Sequence, residues 1–214
     1  MRFRPYTRTG DDGESFSPLL GRRAPKDHHS FELAGALDEA TSAIGLARAL
    51  LPKELGDVDS ELSRIQRLLF AAVTNLETRG RGGHISEDDV RWLEEVSDSR
   101  MEDVELFVIP SGHPAAAALH LARALTRRLE RQAVRSMREE GLSAGVALQV
   151  LNRASSALFA LAVHVNRRLG YREEAFRPRR SSSFSARESS SSPTLHVRSA
   201  QLTASSGTRR QALE

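Results

Sequence analysis

Apolar residues repeat with the period of an α-helix in five separate stretches between residues 31 and 169. In the first, from about Phe31 to Leu51, residues Leu33, Leu37, Ile44, Ala47 and Leu51 recur at helical spacing and Pro52 stops the pattern. A second, from about Val58 to Thr78, places Leu62, Ile65, Leu69, Ala72, Val73 and Leu76 in one stripe and ends at the glycines of RGRGG. Ser86 and the acids after it suit the start of a third helix, about Glu87 to Met101, carrying Val90, Leu93 and Val96. Pro114 sits where a first-turn proline opens a helix, and the fourth is predicted from about Ala115 to Glu140, with Ala117, Leu121, Leu125 and Val134 as its apolar side and Gly141 as its stop. Ser143 is read as the cap of a fifth, about Ala144 to Leu169, striped by Val146, Val150, Ala154, Leu158, Leu161 and Val165. Between the third and fourth, LFVIPSG at 106–112 is too short for a helix and predicts an extended, buried connector. No stretch makes a convincing sheet, so the fold class expected is all-α, a five-helix bundle over 31–170.

The flanks are built differently. Residues 1–30 scatter Gly10, Gly13 and Gly21 with Pro5, Pro18 and Pro25 among Thr, Ser and Asp, which predicts a loop segment ordered by itself or by a ligand. Residues 177–214 are rich in Ser and Arg and poor in apolar side chains, so a disordered tail is expected. That tail holds seven Arg against Glu188 and Glu214, a net +5, which leaves the first 176 residues at about −2 of the total +3. The sequence pI of 9.9 therefore does not describe the helical part. A chain of 214 residues suffices for one well-buried domain. It has no run of about 18 apolar residues and no apolar core near its N-terminus, so a soluble, cytoplasmic protein without a membrane partner is expected. The absence of cysteine excludes disulfides, thiolate metal sites and thiol nucleophiles.

Four groupings carry candidate chemistry. The segment from Thr7 to Asp27 offers backbone amides at Gly10 and Gly13, hydroxyls at Thr7, Thr9, Ser15 and Ser17, and cations at Arg8 and Lys26, one of only two lysines in the chain. These are groups that a polyphosphate requires, although GxxxxGK[ST] is absent and a plain surface loop has the same composition. On the fourth helix Arg123, Arg127, Arg131 and Arg135 stand four apart, nearly on one face, with Glu130 beside them. The row has no acid at its own i+4 steps, so it is either a solvated face or one that meets an anion or the carboxylates of another element. Asp38 and Glu39 interrupt a small-residue stretch of the first helix and would find partners in that row, across helices or across subunits. Asn152 and Arg153 lie within the apolar fifth helix, where a core Asn with a satisfied amide is the ordinary explanation. Adjacent histidines at 28 and 29 have no third His or Cys near them and are expected at the surface, with no metal site. His120 and His164 lie in helices and suit packing or hydrogen bonding. An Arg-rich nucleic-acid binder is a rival reading, opposed by the slight acidity of residues 1–176 and by the lack of aromatics on the basic face.

In order along the chain, Y-T-R-T-G-D-x-G at 6–13, G-R-R-x-P-K-D at 21–27, D-E-x-x-S-A-I-G at 38–45, F-V-I-P-S-G at 107–112, A-L-H-x-A-R-A-x-x-R-R-x-E-R at 118–131 and L-N-R-x-S at 151–155 resemble the PduO-type ATP:cob(I)alamin adenosyltransferases. The resemblance implies a homotrimer of five-helix bundles that moves the 5′-deoxyadenosyl group of ATP onto the Co(I) of reduced cobalamin, with Mg²⁺ neutralising the departing triphosphate. It implies that Thr7, Arg8, Thr9, Gly10, Gly13, Ser15 and Lys26 hold the triphosphate, and that Arg127, Glu130 and Asn152 complete the nucleotide site from the adjacent subunit. It further implies a salt bridge between Asp38 and Arg123, and Phe107 against the lower face of the corrin. An adenosylcobalamin-dependent mutase would be the acceptor of the product. Where the family usually reads L-N-R-L-S-D-Y-L-F-x-L-A-R, this chain has Ser156 for Asp, Ala157 for Tyr and Val163 for Arg. Such a change is either an ion pair lost as a unit or an altered corrin pocket, and the second would leave a non-catalytic ATP- or corrinoid-binding relative. A reaction whose nucleophile belongs to the substrate needs no catalytic triad, and positioning two ligands around a departing polyanion is work for Arg, Lys and backbone amides.

Overall fold

The computed structural model describes residues 8–104, 108–143 and 145–176. Thr7, Phe107 and the tail predicted at 177–214 lie outside the described residues. Five helices account for most of the rest: α1 (His29–Leu50), α2 (Gly56–Glu77), α3 (Glu87–Arg100), α4 (Pro114–Glu140) and α5 (Gly145–Arg168). A short 3₁₀ turn at Lys53–Leu55 joins the first two.

The helix boundaries follow local chemistry. α1 begins two residues before the apolar pattern because the His28 side chain accepts the Ser30 backbone N–H. At α3 the Ser86 backbone N–H donates to the Asp89 carboxylate at 3.1 Å, half of a capping box. α4 has Pro114 in its first turn and His113 as its cap, Nδ1 accepting from the Ala115 N–H, and it ends at Gly141 in the left-handed conformation, φ 63°.

α5 is the axis of the bundle, packed by α2, α3 and α4, while α1 covers α4. Leu33, Ile44, Leu62, Ile65, Leu69, Leu93, Leu119, Leu129, Leu151, Leu158 and Leu161 are all fully buried between them. Among the described helices α5 alone is long and apolar enough to cross a membrane, and its buried positions run round most of its circumference inside the bundle.

The apolar side expected for α4 packs only in part, Leu125 lying half-buried against the core. Leu121 and Val134 are 50% and 44% exposed, and the buried face is instead Ala115, Ala118, Leu119, Ala122, Thr126, Leu129, Ala133 and Met137. α1 answers it with Ala36, Ala40, Ala43 and Ala47, so the α1–α4 seam is lined by small side chains that let the helices approach closely.

Two short sheets were not legible as strands. β1 (Glu14–Ser17) pairs antiparallel with β2 (Arg22–Pro25), so the N-terminal loop segment contains a hairpin, with Leu19 and Ala24 buried. β3 (Val108–Ile109) pairs with β4 (Glu174–Ala175) beyond the bundle. The connector is therefore extended as expected but not buried at this point: Val108 is half-buried and Ile109 is exposed, because its edges are satisfied by a strand rather than by the core.

His29 is likewise not at the surface. It is 7% exposed, wedged against the end of α4 with Nε2 3.1 Å from Glu139 and 3.2 Å from Glu140. α1 and α4 run antiparallel, and sequence spacing alone cannot reveal that their ends meet.

Candidate functional site

A cleft of about 420 Å³ opens where α4 and α5 face the connector, walled by Val108, Pro110, Arg123, Arg127, Ser156 and Phe159. Arg123 is half-buried with its guanidinium 5.4 Å from the centre of the Phe159 ring. Burial, and then the charge of Arg127, lower its pKa. Arginine keeps its proton regardless, so the shift measures a cation short of water and of counter-charge. No ion pair is formed by Arg123 or Arg127 among the described residues, so the cleft carries two positive charges without a partner of their own, with the exposed Asp98 also in its lining. His120 sits behind this wall, 3% exposed, and its burial lowers its pKa. Its Nε2 and the Glu173 carboxylate are 3.9 Å apart.

From Arg127 the surface continues as a shallow strip along the α4–α5 groove, first past Glu130, Arg131 and Val134, then past Glu130, Leu148, Asn152 and Arg153. The side chains on it are held by a chain of hydrogen bonds. Asn152 Nδ2 donates to Glu130 Oε1 at 2.8 Å, Arg153 Nη1 donates to Asn152 Oδ1 at 2.6 Å, and Arg153 Nε donates to Glu94 Oε1 at 2.8 Å. The structure thus brings Arg127, Glu130 and Asn152 onto one strip, and adds Arg153 and Glu94 as groups that orient the amide. Glu94 gave no signal in the sequence, since its partner lies on a different helix 59 residues away.

The N-terminal grouping forms a separate unit. Lys26 Nζ donates to the Gly10 carbonyl at 2.6 Å and its backbone N–H to the Gly13 carbonyl at 2.9 Å. A Cβ at position 10 would lie 3.0 Å from Lys26 Nζ, a tight contact that a small shift of the lysine end relieves. Arg23, which the sequence did not single out, braces the turn through Asp12 at 2.7 Å and the Thr9 carbonyl at 2.9 Å. Ser15 is half-buried in β1, and Arg8 and Thr9 are exposed before the hairpin. The cavities at the Arg127 group are lined by no residue of this hairpin.

The acids of α1 depart from expectation. Asp38 is exposed and pairs with no described cation of its own chain, and the interhelix bridge is made instead by Glu39 with Arg128 at 2.9 Å. The register decides this, since Arg128 and Glu39 face each other over the α1–α4 seam while Arg123 is turned towards α5. At its far end the arginine row is neutralised within its own helix, Arg135 donating to Glu139 at 2.9 Å.

Residues 5–165 match the family described as cobalamin adenosyltransferase. The chain is 38% identical over 172 residues to the corrinoid adenosyltransferase of Bacillus subtilis (strain 168), covering 77% of this chain and 88% of that one. It is 34% identical over 183 residues to the human corrinoid adenosyltransferase MMAB, covering 80% and 72%. Among solved structures, a variant of the PduO-type ATP:corrinoid adenosyltransferase from Lactobacillus reuteri, complexed with cobalamin and ATP, superposes with a TM-score of 0.74 at 31% identity, over 81% of this chain and 97% of that one.

Proposed function

The chain belongs to the cobalamin adenosyltransferase family, and from that premise we propose how its own residues divide the work of the reaction. It transfers the 5′-deoxyadenosyl group of ATP to the Co(I) of reduced cobalamin, giving adenosylcobalamin and triphosphate. The observation that carries the assignment of residues is the cleft in which Val108, Pro110 and Phe159 stand among Arg123 and Arg127, two arginines without an ion pair of their own. Its apolar residues take the corrin and its arginines the nucleotide.

In the reaction the Co(I) electron pair forms the bond to the 5′ carbon while the C–O bond breaks and its electrons leave with the triphosphate. The protein supplies no nucleophile. Arg127 stands at the edge of the cleft where negative charge accumulates on the leaving group, and a preorganised cation there acts most strongly in the transition state. Asn152, held by Glu130 and Arg153, presents a fixed amide to the nucleotide. The Gly10–Lys26 hairpin, with Thr7, Arg8, Thr9, Gly13 and Ser15, binds the triphosphate through ammonium, hydroxyl and backbone N–H groups.

The hairpin lines none of the cavities found at the Arg127 group in one chain, which supports a homotrimer whose hairpin completes the strip of the next subunit. Asp38 and Arg123 would then meet across that boundary, and the exposed Leu121 and Val134 on α4 are available for burial there. Mg²⁺ fits this arrangement. Asp11 and Asp27, exposed and next in sequence to Gly10 and Lys26, are carboxylates that a hydrated Mg²⁺ takes alongside phosphate oxygens, where it would neutralise their charge. The resemblance assigns Phe107 to the lower face of the corrin.

The test is an anaerobic absorbance assay with reduced cobalamin, ATP and Mg²⁺. Conversion of the Co(I) spectrum to that of adenosylcobalamin, with a loss of roughly 10²–10³ in kcat for Arg127→Ala and an unchanged melting temperature, is the expected result. ATP binding without turnover in the unaltered chain would replace the transferase by a binding-only relative.

A further inference from the structure

Away from the cleft, the start of α1 meets the end of α4 in a cluster that the transfer reaction does not use. His28, His29 and Glu140 each offer a ligand atom, all within 4.8 Å of one another, and Glu139 adds a second carboxylate. His29 Nε2 lies 3.1 Å from Glu139 Oε2 and 3.2 Å from Glu140 Oε1. The opposite oxygens of both acids are already engaged, Glu139 Oε1 by Arg135 at 2.9 Å and Glu140 Oε2 by Arg79 at 3.7 Å. The two oxygens turned to His29 are therefore the ones left over.

On the other side of the ring, His29 Nδ1 lies 3.4 Å from the Ser136 hydroxyl. With Nδ1–H donating to that oxygen, the neutral ring turns a bare lone pair at Nε2 towards two anionic oxygens, and no proton lies among the three. The other tautomer supplies one proton for two carboxylates. In either neutral form three ligand-type atoms converge with at most one proton between them, and only a doubly protonated ring makes the same contacts as a plain ion pair. Their separation is also that of neighbouring ligands on one ion, because two atoms at about 2.0–2.1 Å from a tetrahedral metal are about 3.3 Å apart. A hydrogen-bond acceptor on the far ring nitrogen, as the Ser136 hydroxyl is here, is the usual orienter of a metal-bound histidine.

We propose that His28, His29 and Glu140, with Glu139 alongside, form a binding site for a divalent transition metal, of which Zn²⁺ suits imidazole and carboxylate ligands best. The metal would tie the first turn of α1 to the last turn of α4. Since Lys26 and Asp27 directly precede His28, it would also fix the point from which the N-terminal hairpin springs.

The test uses the full chain, stripped with chelator and without ATP, titrated with Co²⁺ as a spectroscopic stand-in for Zn²⁺. Expected are saturable visible ligand-field bands at one Co²⁺ per chain, bleached by Zn²⁺, and a melting temperature that rises with Zn²⁺. Glu140→Gln and His28→Gln each weaken Co²⁺ binding at least tenfold, while His84→Gln, exposed elsewhere, leaves it unchanged. Circular dichroism confirms that each variant is folded. No saturable bands in the unaltered chain, or equal binding by the Glu140 and His84 variants, overturns the proposal.

Discussion

Asn166 is 1% exposed at the end of α5 and uses its amide completely. Its Oδ1 accepts the His113 backbone N–H at 2.9 Å, and its Nδ2 donates to the Ser111 carbonyl at 3.1 Å and to Glu173 Oε1 at 2.8 Å. One side chain thereby pins the turn that leads from the cleft wall into α4, together with the segment that enters β4. Asn166→Ala removes three hydrogen bonds, each worth about 1 kcal/mol net, and strands their partners, for a loss of about 3 kcal/mol. In a domain of this size that lowers the melting temperature by roughly 6–12 °C. The same amide forbids a side chain at Gly112, where φ is +95° and an added Cβ would lie 2.3 Å from Asn166 Oδ1. Gly112→Ala is therefore expected to destabilise as well. Part of its cost comes from the Asn166 side chain, so the double variant should cost at least about 1 kcal/mol less than the sum of the singles. Urea unfolding of the four chains measures this. The cleft wall at Val108–Pro110 hangs on the same turn, so Asn166→Ala should also raise KM for cobalamin more than KM for ATP. A loss under about 1 kcal/mol, or strictly additive costs, would refute the clamp.

Acid should destabilise the fold below about pH 6.5. Burial lowers the pKa of His120, as does that of His164, where Arg100 and Arg168 add to it. The unfolded chain then takes up protons first, so the contribution is whole above the ordinary histidine pKa and is lost as pH falls towards the folded value. His120→Leu is expected to flatten that limb in thermal scans from pH 7.5 to 5, and parallel curves would contradict the assignment. Sedimentation velocity should give three times the 23.6 kDa chain mass, and a monomer with full turnover would end the shared-site reading.

Helix existence was legible because each start and stop is a local event, as at Ser86, Pro114 and Gly141. The face of α4 was not, since the residues that pack are mainly alanines: Leu121 and Val134 dominate any hydrophobic tally, yet close approach to α1 selects the side with least bulk. β1 and β2 were hidden because ESFS and RRAP have no period-two contrast and pair through their turn. In the site, Arg127, Glu130 and Asn152 could be read from spacing and resemblance, whereas Glu94, Asn166 and the His29 cluster depend on contacts between distant helices, for which a single sequence carries no signal. The pairing of Arg135 with Glu139 was a different case: both residues stood four apart in the sequence, one step past the end of the arginine row.

The three departures on α5 fall in different surroundings. Ala157 is fully buried, so its change concerns packing. Ser156 lines the cleft, and Val163, 2% exposed, lines a neighbouring cavity of about 530 Å³ whose wall, Val108, it shares with that cleft. Seven residues is two helical turns, so 156 and 163 look along one side of α5 towards the connector, about 10 Å apart. An Asp and an Arg in those places are within reach of each other through the length of the arginine side chain. Their joint replacement removes one charge of each sign and leaves the net charge of the wall unchanged, which is what an ion pair lost as a unit requires. Val163→Arg alone buries a cation beside Glu102, already held by Arg167 at 3.0 Å, and should destabilise by about 3–5 kcal/mol. Ser156→Asp added to it should recover at least about 1 kcal/mol of that loss, with turnover close to that of the unaltered chain. Additive losses would mean that the two positions never formed a pair, and that Val163 instead marks a reshaped corrin pocket.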